Sequence, residues 1–177
     1  MSPMSNALIA LIIIALMLTA AVLWSQAMLI MMDSGIQSWK QMVETVQEVN
    51  RTDIVIVDAN YTAPYAKVLV HNCGKLHIAQ FENWDVFIQH YDSNNTMHIG
   101  SLSYTENGNP SPSEWTVSTI YADTDLNQTE VYEPEIMNPG EVAWFKLNIN
   151  PAAGNGTTNM VTLSSPNGVI TSRQFQG

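Results

Sequence analysis

An α+β fold, one long apolar N-terminal helix followed by an all-β domain, is what this 177-residue sequence predicts. Three observations carry that reading. Ala7–Met32 contains no Lys, Arg, Asp or Glu; the stretch after it repeats apolar residues at helical spacing; and from Asp53 onward short runs of Val, Ile, Thr and aromatic residues alternate with Asn, Gly, Pro and Ser. The division falls at residues 1–50 for the helix and 51–177 for the β-domain.

The first element is set by hydrophobicity. At about 1.5 Å rise per residue, the twenty-six positions of Ala7–Met32 span about 39 Å as a helix, more than the roughly 30 Å of a bilayer's hydrocarbon core. Twelve of them are Leu, Ile or Val, each favouring insertion by about 0.3 to 0.6 kcal/mol, which outweighs Thr19, Ser25 and Gln26. A secretory signal peptide has a basic start and an apolar core of only about 7–15 residues, and this segment has neither. Its first basic residue, Lys40, comes after the apolar run, so nothing basic fixes the N-terminus in the cytoplasm. The pattern implies a processed chain from which a short basic leader has been removed.

The helix is expected to continue to about Asn50, giving a length of about 75 Å. Ile36, Trp39, Val43 and Val46 recur at 3-4-3 spacing, and Lys40 and Glu44 stand four apart as a candidate pair. This second half is amphipathic, unlike the first. Gly35 costs about 1 kcal/mol relative to Ala inside a helix, so any bend or local melting is placed there. Pro3 fits a first turn, with Ser2 as its N-cap.

The sequence Ser2-Pro3 followed by Ala7-Leu8-Ile9-Ala10-Leu11-Ile12-Ile13-Ile14-Ala15-Leu16-Met17-Leu18 resembles the start of mature archaeal type IV pilin-like proteins, the archaellins and adhesion pilins. The resemblance is firm over about thirty residues and architectural beyond them. Bacterial type IV pilins carry Glu at the fifth mature position, where this chain has Ser5, so the archaeal branch is favoured. It implies a leader removed by a dedicated peptidase, residence in the membrane before assembly, and polymerisation through the helix into a homopolymer. A membrane assembly platform and a cytoplasmic ATPase motor are also implied by the family. The packing surface would comprise Ala7, Ala10, Leu11, Ile14, Ala15, Leu18, Ala21 and Val22, with Thr19, Ala20 and Ser25 among the small residues that let backbones approach.

Ten strand candidates follow: Ile54–Asp58, Lys67–His71, Leu76–Gln80, Trp84–Tyr91, His98–Tyr104, Trp115–Tyr121, Val131–Tyr132, Val142–Ile149, Met160–Ser164 and Val169–Phe175. That many short strands make a sandwich or barrel, and the family resemblance implies an immunoglobulin-like one. Asn72-Cys73-Gly74, Asn138-Pro139-Gly140 and Pro166-Asn167-Gly168 have turn chemistry. A single cysteine excludes an internal disulfide, and Cys73 reads as a small buried residue.

All sixteen acids and six bases lie after Met32, for a net charge of −10. That balance argues against nucleic acid as a partner, because phosphate binding rests on Lys and Arg. No Gly-x-Ser-x-Gly elbow, His-Glu-x-x-His pair or phosphate-cradling glycine loop occurs, so no enzyme is expected. His71, Cys73 and His77 read as residues around a turn rather than metal ligands. Asp123, Asp125, Asn127 and Glu130 have the alternate spacing that suits Ca²⁺, but Gln128 replaces the glycine of an EF-hand loop and Pro134 its twelfth position, so a solvated acidic loop is favoured. Five Asn-x-Thr sequons, at Asn50, Asn60, Asn94, Asn127 and Asn155, are N-glycosylation candidates at element ends or loops.

The resulting expectation is an extracellular structural subunit at the cell surface. An archaellum for swimming is the leading reading. The alternatives are an adhesive pilus and a membrane-anchored, stator-like binding module.

Overall fold

The computed structural model describes residues 3–133 and 135–177. The chain divides into two compact units, Met1–Val46 and Gln47–Gly177, so the last helical turn belongs with the β-domain.

One helix, α1, runs from Pro3 to Arg51. Ser2, the expected N-cap, lies outside the described residues. The helix passes through Gly35 without interruption, so no local melting occurs there. A cost of about 1 kcal/mol is small beside the unbroken hydrogen-bond ladder on both sides. Lys40 and Glu44 do not come within 4.0 Å of each other. Lys preceding Glu is the weaker order for such a pair, because the helix dipole opposes it.

Among the described residues there are eight strands: β1 (Ile54–Thr62), β2 (Tyr65–Asn72), β3 (Asp85–Tyr91), β4 (Met97–Tyr104), β5 (Glu114–Tyr121), β6 (Val142–Asn148), β7 (Thr158–Ser164) and β8 (Ile170–Gln176). Their order is β1-β2-β6-β5-β4-β3-β7-β8. Every pairing is antiparallel except β4 with β5, which touch only through Ser103↔Glu114 and Tyr104↔Trp115. Two four-stranded layers meet at that short joint. At the other side β1 packs against β8, and Arg173 Nη1 donates to the Ile56 carbonyl at 3.0 Å across the gap, closing the sandwich toward a barrel.

Alternation explains the core. Val86, Ile88 and His90 of β3 point inward, as do Val161 and Leu163 of β7 and Phe145 and Leu147 of β6, while the residues between them, such as Phe87, Thr162 and Lys146, are more exposed. Phe145 is central: Trp115 stacks on it at 5.1 Å between centroids, and Phe81 and Trp84 meet it edge-on at 5.8 and 5.6 Å. Such side chains each contribute about 1.5–3 kcal/mol by leaving water. Ser118 is the extra residue of a β5 bulge, and its hydroxyl returns to the Trp144 carbonyl at 3.0 Å.

Two expected strands are absent. Leu76–Gln80 makes only a bridge between Ile78 and Met137, because Gln80 turns left-handed (φ 55°) into the short 3-10 helix Phe81–Asn83. Val131 and Tyr132 lie in an exposed loop, since a β-prone pair with no surface to pack on gains nothing from extension. Cys73 is exposed rather than buried, at the tip of the turn after β2.

Candidate functional site

The apolar segment of α1 is the most unusual surface of the chain. From Leu8 to Met32 every residue is exposed, including Ala10, Leu11, Ile14, Ala15, Leu18, Ala21 and Val22. Ala7 belongs to the helix, but its side chain lies outside the described residues. Leu11 is 67% and Leu18 63% exposed, which is foreign to a water-facing helix. The run is long and apolar enough to cross a membrane, with a mean hydropathy of 2.7 over its best window. Apolar side chains cover the whole circumference instead of a stripe, the pattern of a helix surrounded by lipid or by other helices. The Thr19 hydroxyl donates to the Leu16 carbonyl at 2.9 Å, so this polar group is satisfied within the helix. Ala10, Ala15, Ala20, Ala21 and Ser25 leave low points at which another backbone can approach. Further on, Ile36, Trp39, Val43 and Val46 are also exposed.

The lower end of α1 is tied into the β-domain. Lys75 N–H donates to the Arg51 carbonyl at 2.7 Å, and Asn167 Nδ2 donates to the Thr52 hydroxyl at 2.6 Å. A Cβ on Gly74 would stand 2.6 Å from Asp53 N and 2.7 Å from Arg51 O, so only glycine lets the turn approach the helix end.

The remaining candidates separate. Asp123 accepts from Asp125 N at 3.1 Å, while Glu130 accepts from the backbone of Tyr132 at 2.7 Å and Glu133 at 3.2 Å, which holds its carboxyl below the usual carboxylate range. Among the described residues no three His, Cys, Asp or Glu side chains converge as a metal site would require. Cys73 Sγ lies 3.1 Å from His71 Nδ1, and burial together with the Asp53 charge pushes the thiol pKa up.

All five sequon asparagines are exposed, in different settings. Asn94 and Asn155 sit in turns and Asn127 in a loop, as expected. Asn50 lies within α1, and Asn60 within β1 rather than beyond its end, with Nδ2 2.6 Å from Asp58.

A cluster that the sequence did not bring forward joins three elements. His90 is buried; its Nε2 donates to the Pro151 carbonyl at 2.8 Å, its Nδ1 has no partner, and its ring stacks on His98 at 5.3 Å. His98 in turn donates to Asp92 at 3.1 Å. Inward alternation placed His90 in the core, but nothing local signalled the Pro151 carbonyl sixty-one residues away.

No family model matches the sequence, and a search of curated proteins finds no relative. Among solved structures, the chain is similar to the archaeal flagellum of Methanospirillum hungatei strain JF1 (TM-score 0.59, 12% identity, over 99% of this chain and 93% of that one). It is also similar to archaeal flagellin FlaB1 from Methanocaldococcus jannaschii (TM-score 0.50, 14% identity, over 71% and 89%). A third likeness is to the archaellum periplasmic stator protein FlaG from Sulfolobus acidocaldarius (TM-score 0.49, 19% identity, over 70% and 99%). The alignment with the Methanospirillum subunit takes in the apolar helix as well as the β-domain, and the chain is thus archaellin-like in fold.

Proposed function

We propose that this protein is a structural, non-catalytic subunit that polymerises through α1 into an extracellular helical filament, an archaellum used for swimming. The observation that carries the reading is the uncharged, fully exposed run Leu8–Met32 on a chain whose fold is archaellin-like along its length. A helix apolar on all sides is stable in only two surroundings. In the membrane it is covered by lipid; in a filament it is covered by copies of itself.

Moving between them keeps apolar surface away from water, so little hydrophobic free energy separates the two states. Close packing at Ala10, Ala15 and Ala21 then provides cohesion. Contacts made head to tail between identical subunits generate an open helix, the geometry of a growing fibre. The acidic β-domains form the outer layer, where net charge favours solubility and glycans at Asn94, Asn127 and Asn155 extend the coat. Export and growth need a membrane platform and an ATP-driven motor outside this chain.

Electron microscopy of material sheared from cells, with helical reconstruction, tests the proposal. Filaments built from this chain with α1 at the centre are expected. The chain found only in the membrane fraction, as isolated protomers wrapped in lipid, would replace a filament role with that of an anchored, stator-like module. Loss of surface attachment with swimming intact in cells lacking the chain would identify an adhesive pilus.

A further inference from the structure

Among the described residues the one ion pair joins His98 to Asp92, so no Lys or Arg lies within 4.0 Å of a carboxylate in a chain with sixteen acids. Two of the six bases face each other instead. Lys67 of β2 and Lys146 of β6 are direct partners in the antiparallel register, a position where like charges repel. Lys67 is exposed. Lys146 lies with Nζ 4.3 Å above the Tyr65 ring and donates to the Gly108 carbonyl and Asn109 Oδ1 at 3.3 and 3.0 Å. Both lysines line an open cleft of about 400 Å³ beside Tyr65. Pairing one with Glu would remove the repulsion, yet both are cations.

The complement is on the same chain. A second cleft, of about 300 Å³, is lined by Glu82, Glu106 and Glu135 around Tyr104. None of the three has a basic partner within 4.0 Å. Burial and these three carboxylates together push the Tyr104 phenol up. A pair of lysines without a carboxylate partner and three glutamates without a basic one thus stand on one β-domain. Copies with a charge of −10 repel each other everywhere except where a base meets an acid, which selects another copy of this chain as the occupant.

We infer that the Lys67–Lys146 face of one copy docks on the Glu82, Glu106 and Glu135 cleft of a neighbour, joining β-domains around the filament. The inference rests on the reading of the chain as a self-assembling subunit. The contact is heterologous, each copy giving one surface and receiving the other, as an open helix requires.

The test uses the full chain, half of it ¹⁵N-labelled, mixed in detergent, assembled by detergent removal and treated with a water-soluble carbodiimide. Peptides joining Lys67 or Lys146 to Glu82, Glu106 or Glu135 are expected in mixed-isotope form, which only a link between copies produces. Lys67→Glu, whose thermal melt is expected to rise as the repulsion with Lys146 is removed, and Glu135→Lys, with an unchanged melt, are each expected to raise the concentration needed for assembly by about three- to tenfold, which is about 0.7–1.4 kcal/mol. An equal mixture of the two variants is expected to recover part of that loss. Filaments that form with no mixed-isotope link, or a Lys67→Glu chain that assembles at the wild-type concentration, would overturn the contact and leave helix-driven assembly standing. Wild-type chains that form no filament would overturn both.

Discussion

The Asn72 side chain and the Met137 carbonyl are hydrogen-bonded at 3.0 Å across sixty-five residues of sequence. The same carboxamide donates to the Leu76 carbonyl at 2.8 Å and accepts from Gly74 N at 3.0 Å, so one fully buried residue organises the turn that receives the end of α1. Its main chain adds bonds to Gly140 and Glu141.

Asn72→Ala removes three side-chain bonds; the Met137 carbonyl keeps its bond from Ile78 N–H, while the Leu76 carbonyl and the Gly74 N–H of the half-buried turn lose theirs. At about 1–3 kcal/mol for a buried group left unpaired, and less for half-buried ones, the β-domain is expected to lose about 1–3 kcal/mol. Denaturation of the full chain in detergent, followed by the fluorescence of the buried Trp84 and Trp115, measures it.

Ala10→Arg or Ala15→Arg is expected to abolish assembly while the β-domain melts as in the wild type. A guanidinium within a helix bundle has no anion to meet there, and the cost of holding it falls on every subunit. Normal amounts of sheared filament from either variant would remove α1 from the filament core.

Stability is expected to decline below about pH 6.5. Burial lowers the pKa of His90 beneath its ordinary 6.5; the bond to the Pro151 carbonyl opposes this, the His98 charge adds to it and the Asp92 charge opposes it. Above that pH the imidazole is neutral whether the chain is folded or unfolded, and it contributes no pH dependence. Below it the unfolded chain takes a proton that folded His90 resists, so stability falls until the folded pKa is reached. Asp92 acts lower: its bond from Thr96 N–H, then that from His98, hold it beneath 3.8, so its contribution is kept until the pH falls under that value. His90→Gln should therefore narrow the difference between melting temperatures at pH 7.5 and pH 5.0.

Cys73 should label with maleimide more slowly in the folded chain at pH 7 than in denaturant, despite its exposure. Partial burial, and then the Asp53 charge, keep its thiol protonated. Asp53→Asn should quicken the folded-state reaction without changing the rate in denaturant.

Glycan occupancy is expected to follow local shape. Asn94 and Asn155 are in turns and Asn127 is in a loop, whereas Asn50 is helical and its sequon residue Thr52 is buried, with its hydroxyl bonded to the Glu48 carbonyl at 2.9 Å. Peptide mass spectrometry of native protein should find sugar on the first three and none on Asn50. A polypeptide of unmodified mass would dismiss the coat altogether.

The sequence alone determined the helix and the class of the β-domain. Both are written in short-range order: twenty-six uncharged positions, then alternation such as Val86-Phe87-Ile88 and Phe145-Lys146-Leu147, where neighbouring residues declare which side faces the core. Only the tertiary structure decided which strands pair. It kept Leu76–Gln80 and Val131–Tyr132 out of the sheets, joined the layers through two residue pairs of β4 and β5, stacked His90 on His98, and set Lys67 opposite Lys146. The reason is physical: register and cross-strand contact depend on residues dozens of positions apart, whose meeting is settled by the packing of the whole core around Phe145 and leaves no mark on either local sequence.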